Sequence, residues 1–159
     1  MNRNHDTSIA AKDNASKIFA EIFSENYSVR IADSPEELHS ALRLRYEVFN
    51  LEIAGEKPVE GAEMIESDEF DLLCRHLIVV ERGSGKTVGT YRLNTLENAV
   101  DVSNFYSFGE FTIEDLPLEV LENADEIGSA CIAADHRNTK VLFLIWKGLS
   151  SFIKKKKKR

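Results

Sequence analysis

Cysteine is scarce. Cys74 and Cys131 are the only two, each sits among apolar neighbours, and no CxxC spacing links them. That excludes a disulfide framework and suits reduced core thiols in a cytoplasmic protein rather than thiol catalysis. Metal-ligand spacing is also missing: His5, His39, His76 and His136 are scattered and nothing resembles HExxH, so no metal site is expected. Long hydrophobic runs are absent. Leu77–Val80 and Val141–Trp146 fall far short of the roughly 18 residues that cross a bilayer. Asn2–Lys17 is polar where a signal peptide needs an apolar centre, so the expected location is the cytoplasm.

Basic charge is short everywhere but at one end. Six of the 20 Lys and Arg residues form the run Lys154–Arg159, leaving 14 against 27 acids, a formal charge of −13 for the remainder. A body of that sign lacks the basic surface that phosphate contacts need, so no nucleic-acid partner is expected. With 159 residues and 43% hydrophobic content, the chain is long enough for one core and too short for two. The expected division is an N-terminal arm over 1–26, an α/β domain over 27–153 and a basic tail over 154–159.

What is present reads as alternating helices and strands. Ile9, Ile18, Phe19, Ile22 and Phe23 predict an amphipathic helix within 8–24, which packs on the domain or meets a partner or membrane surface. Tyr27–Ala32 predicts a strand. Ser34-Pro-Glu-Glu37 supplies a capping box with proline at the first helical position, predicting a helix over 35–50 with the stripe Leu38, Leu42, Phe49. The polar stretch 52–67 predicts a long loop. His76–Glu81 and Thr87–Asn94 predict a hairpin across Arg82–Lys86, Ala124–Ala133 another strand, and Asn138–Ile153 a last helix. The order suits an α/β domain with a mixed sheet flanked by helices.

Charged residues fall at inward-facing positions. Arg45 lies three residues after Leu42 and four before Phe49, on the apolar stripe of its helix. A guanidinium there needs carboxylates, and Asp68, Asp71 and Glu126 are the candidates. Arg92 shares a strand face with Val88 and Thr90. Such a cluster reads either as a structural ion-pair network or as the wall of a charged cleft.

The segments Arg45-Tyr-Glu-Val-Phe49, Asp68-Glu-Phe-Asp71, Tyr91-Arg-Leu93, Glu126-Ile-Gly-Ser-Ala-Cys-Ile132 and His136-Arg-Asn138 occur in an order and spacing that resemble a known family. It is the GNAT-type N-acyltransferases that make ornithine lipids and N-acyl amino acids, related to acyl-homoserine-lactone synthases. The resemblance implies a GNAT fold and an acyl donor, often 3-hydroxyacyl, carried on the phosphopantetheine of acyl carrier protein, with no other cofactor. It makes Glu126 the general base, with Arg45, Phe49, Asp68, Asp71 and Arg92 shaping the amine-acceptor pocket. Arg137 and Asn138 would hold the donor's phosphate.

Three departures modify what the resemblance implies. Ser129 stands where many relatives have arginine, which favours a smaller acceptor, glycine first and ornithine next. Thr139 stands where glycine is common after Arg-Asn, and Lys154–Arg159 stands where a further strand usually follows, so the sheet is expected to lack C-terminal strands. Two other functions fit the same residues. One is lactone synthesis, although no tryptophan follows Phe49 closely. The other is a shortened domain that binds acyl carrier protein or a membrane without turnover.

Overall fold

The computed structural model describes residues 19–99 and 101–156. Its elements are β1 (Ile22–Phe23), β2 (Tyr27–Ile31), α1 (Pro35–Arg45), β3 (Arg75–Glu81), β4 (Thr87–Thr95), α2 (Leu96–Ala99), α3 (Tyr106–Glu110), α4 (Leu118–Glu122), β5 (Asp125–Ile132) and α5 (Thr139–Lys156). The strands form one sheet in the order β1-β2-β3-β4-β5.

All four pairings are antiparallel, so the sheet is antiparallel where a mixed one was expected. A parallel neighbour for β5 would require a crossover through a helix to a further strand. Among the described residues α5 leaves β5 in this way and no strand follows it. Of the expected N-terminal helix only the last residues are described, and there it is corrected. Residues 1–18 lie outside the described residues. Ile22 and Phe23 pair with Val29 and Ser28 as β1, through a turn closed by Ser24 N–H on the Tyr27 carbonyl at 2.8 Å.

Strand alternation gives the sheet two faces. On one, Val29, Leu77, Val79 and Val88 pack with Val141, Leu144, Ile145, Leu149 and Phe152 of α5. Gly148 lets the helix approach closely, because a Cβ there would lie 3.0 Å from Val29 and 3.1 Å from Leu77. On the other face Ala41 of α1 packs with Ile78 and Val80. That face also carries His76, Thr90, Arg92 and Asn94, all buried, whereas Val88, expected beside Thr90 and Arg92, faces α5 because the register shifts between Val79 and Val80. The functional groups therefore lie between α1 and the sheet.

Helix α1 begins as its sequence predicts. Ser34 accepts from Glu37 N–H at 3.2 Å, and Pro35 occupies the first turn. Beyond Arg45 the helix does not stay α-helical. Tyr46–Ile53 winds as a π-helix, with Ala54 N–H bonded to the Phe49 carbonyl at 2.9 Å. Within α1 the buried positions are Ala41, Leu42, Leu44 and Arg45, with Leu38 half-buried; along the wider turn that follows, Val48 is buried and Phe49 half-buried.

Candidate active site

Arg45 is 1% exposed, and its guanidinium meets two carboxylates: Asp71 at 2.5 Å and Glu66. Arg92 donates to both oxygens of Asp68 at 2.7 Å and to Asp71 at 3.3 Å. Asp71 thus joins both arginines, as buried charges require. Its second oxygen accepts from Asp68 N–H at 2.8 Å, while Asp68 accepts from Phe70 N–H at 2.9 Å. This reciprocal capping box turns Glu69–Leu72 into a 3₁₀ turn and fixes the spacing of the two acids. Above them Arg92 lies 5.8 Å from the ring centres of both Phe70 and Tyr106.

Burial acts on all three titrating members. It would raise the Asp71 pKa, but the Arg45 hydrogen bond and Asp68 N–H outweigh it and hold the carboxyl below the usual range. Burial would lower the Arg92 pKa, but Asp68, with Asp71 behind it, raises it instead. His76 lies against Asp71, its Nε2 3.4 Å from the Asp71 carbonyl. Here burial wins over the pull of Asp71, and the imidazole pKa is lowered.

The His76 and Asp71 shifts both make stability fall with acid. A histidine whose pKa is lower when folded is protonated first in the unfolded chain, so its contribution is whole above the unfolded value, about 6.5, and declines as pH falls below it. For Asp71 the corresponding loss begins below about 4. Urea midpoints measured from pH 7.5 to 5 should therefore decline, with His76 contributing a slope of at most about 1.4 kcal/mol per pH unit. His76→Phe should flatten that window, whereas an unchanged slope would show that the imidazole titrates alike in both states.

Glu126 lines an open cleft with Arg92 but takes its hydrogen bonds from another segment. Cross-strand pairing sets it opposite Asn94. Its carboxylate accepts Ser107 N–H at 2.7 Å, the Ser107 hydroxyl at 2.5 Å and Tyr106 N–H at 2.9 Å. A bulge follows on β5: Thr90 pairs with Cys131 and Arg92 with Gly128, leaving Ser129 and Ala130 opposite Tyr91 alone. Ser129 takes φ of 49°, left-handed backbone that costs a non-glycine residue about 1 kcal/mol or more.

The cleft holds about 370 Å³ and is lined by Phe49, Glu66, Asp68, Arg92, Asn94, Tyr106, Ser107, Glu126, Ile127, Gly128 and Ser129. Of the residues expected to form the site, Glu126, Phe49, Asp68, Arg92 and Ser129 meet there. Arg45 and Asp71 lie beneath it, holding Glu66 and Arg92. Arg137 and Asn138 lie elsewhere. Arg137 makes a two-pronged pair with Glu52, at 2.5 and 2.6 Å, and donates to the Ile132 carbonyl at 3.0 Å. Asn138 caps α5 by accepting Val141 N–H at 3.1 Å. A phosphate reaching Arg137 would compete with Glu52.

Cys74 and Cys131 are free and buried, and burial pushes both thiols up to about 12, far from thiolate chemistry at neutral pH. No helix among the described residues is long and apolar enough to cross a membrane.

Residues 44–147 match the family model described as an acetyltransferase (GNAT) domain. The chain belongs to the GNAT family. Similar curated proteins are the L-ornithine N(alpha)-acyltransferases of Rhodobacter capsulatus, 29% identical over 80% of this chain, and Brucella abortus, 31% identical over 80%. That of Rhizobium meliloti is 32% identical over 77%. The aligned part is 51%, 48% and 44% of those proteins, so this GNAT chain spans about half the length of the curated relatives it matches. No solved structure matches it significantly.

Proposed function

We propose that the chain is an N-acyltransferase that moves a (3-hydroxy)fatty acyl group from acyl carrier protein to the α-amine of a small amino acid, with Glu126 as general base. The observation that carries this reading is the meeting of Glu126, Asp68, Arg92 and Phe49, drawn from four separate elements, in one cleft.

An amino acid is mainly ammonium at neutral pH and must lose a proton before it attacks. Glu126 takes that proton. The amine nitrogen then bonds to the thioester carbonyl carbon, the C–S bond breaks, and the departing pantetheine sulfur takes the second N–H proton. Glu126 returns its proton to solvent. Backbone N–H groups beside the Ser129 bulge are the candidates for polarising the thioester carbonyl.

The lining also bears on the acceptor. In and just beneath the cleft, Glu66, Asp68, Asp71 and Glu126 stand against the two guanidiniums of Arg45 and Arg92, so acids exceed cations there. An acidic pocket suits a doubly cationic amino acid, which moves the reading from glycine to ornithine; the name carried by the relatives supports the same choice.

The test is mass spectrometry of products after incubating the purified chain with 3-hydroxyacyl carrier protein and equal amounts of ornithine, glycine, serine and alanine. N-acylornithine should dominate. A dominant N-acylglycine would overturn the acceptor assignment, and no amide product from a folded sample would overturn the acyltransferase reading for this chain.

A further inference from the structure

The Glu126 carboxylate is more tightly held than a free general base needs to be. A carboxylate has roughly four lone-pair positions. Two donors take those of Oε1, Ser107 N–H and the Ser107 hydroxyl, and Tyr106 N–H takes one on Oε2. One position on Oε2 is left for an incoming N–H.

The donors themselves are firmly placed. Phe105, just before them, is buried to 3% exposure, and Tyr106 packs edge-on against Phe70 with ring centres 5.8 Å apart. Asn94, the cross-strand neighbour of Glu126, donates to the Asn104 carbonyl at 3.0 Å and pins the same segment to β4. Ser107 therefore belongs to a segment tied to β4 through Asn94 and to Phe70 through Tyr106, and it lines the cleft beside Glu126.

We propose that Ser107 is the positioning residue of this site: its hydroxyl and N–H clamp Oε1 of Glu126 so that only Oε2 takes the acceptor's proton. In that step the N–H bond of the ammonium breaks, an Oε2–H bond forms, and the freed nitrogen lone pair is aligned for attack. Held in one rotamer, the carboxylate spends no time in orientations that cannot accept the proton. This role rests on the reading of Glu126 as base.

The experiment compares Ser107→Ala, Ser107→Thr and Glu126→Gln, alone and combined, in single-turnover acylation of ornithine. A hydrogen bond to a charged group that matters in the rate-limiting step shifts rate by about tenfold to a hundredfold. Ser107→Ala should lose that much turnover with an unchanged KM for the acyl carrier protein, while Ser107→Thr, which keeps the hydroxyl, should recover most of it. In the Glu126→Gln background, Ser107→Ala should cost less than about twofold, because the group it positions is gone.

Equal losses for Ala and Thr, or a full loss for Ala in the Glu126→Gln background, would overturn the role, since a merely structural serine behaves so. Should Ser107→Ala fail to fold, the Thr variant decides: wild-type turnover supports the clamp and a tenfold loss overturns it. A wild-type chain that makes no amide removes the acyltransferase reading and this role together, whereas active wild type with active Ser107→Ala removes this role alone.

Discussion

Arg45→Ala should lower stability by about 3 kcal/mol and the melting temperature by roughly 6–12 °C, measured by circular dichroism and urea titration. Removing one partner of a buried ion pair typically costs 3–5 kcal/mol, because the remaining charge stays buried without compensation. Two features place this case near the lower end. Arg92 still reaches Asp71 at 3.3 Å, and the Glu66 side chain is 30% exposed, so water can take up part of its charge. Against a total stability of about 5–15 kcal/mol the loss is large. Arg43→Ala is the control two positions away: its pair with Glu47 is exposed and should be worth under about 1 kcal/mol. If the two variants melt alike, the cluster beneath the cleft does not hold the fold.

Glu126→Gln should leave the far-ultraviolet circular dichroism unchanged and cut turnover by about a hundredfold or more, the range expected when a general base is lost. Glutamine matches the shape, so substrate access is preserved. It does not match the hydrogen bonding. Three donors converge on the two carboxylate oxygens, and an amide offers one oxygen and one further donor group. Its NH₂ must face either Tyr106 or Ser107, at a cost of about 1 kcal/mol. The variant should therefore melt slightly earlier while losing most of its activity. Wild-type turnover by a well-folded Glu126→Gln would remove Glu126 from the base role and leave it as an anchor for α3.

The charged cluster was legible because helical and strand periods act locally. Arg45 on an apolar stripe and Arg92 on an inward strand face had to meet acids, and the short interval between Asp68 and Asp71 is that of a capping box. The partners were harder. Glu66 lies in a loop without any period, and it reaches Arg45 because Glu66 N–H bonds to the Leu42 carbonyl at 3.1 Å, a contact between residues distant in sequence. Ser107 lies among short helices between β4 and β5, where no pattern announces a functional side chain. β1 departs from the helix its spacing predicts because its two residues owe their form to pairing with β2. Arg137 and Asn138 stand just before α5, where no local pattern announces the contacts with Glu52 and Val141 that occupy them.

The bulge at Ser129 changes the phase of β5. In an unbroken strand, even-numbered residues share one face, so Glu126 and Cys131 would point to opposite sides. Two residues opposite one partner shift the count by one, and both lie on the face of Arg92 and Thr90. One strand thus carries two messages in different frames: before the bulge its even positions address the cleft, and after it the odd positions address the core. A simple test of alternation sees noise across 125–132, yet each half is regular, and the strained serine marks where the reading frame moves.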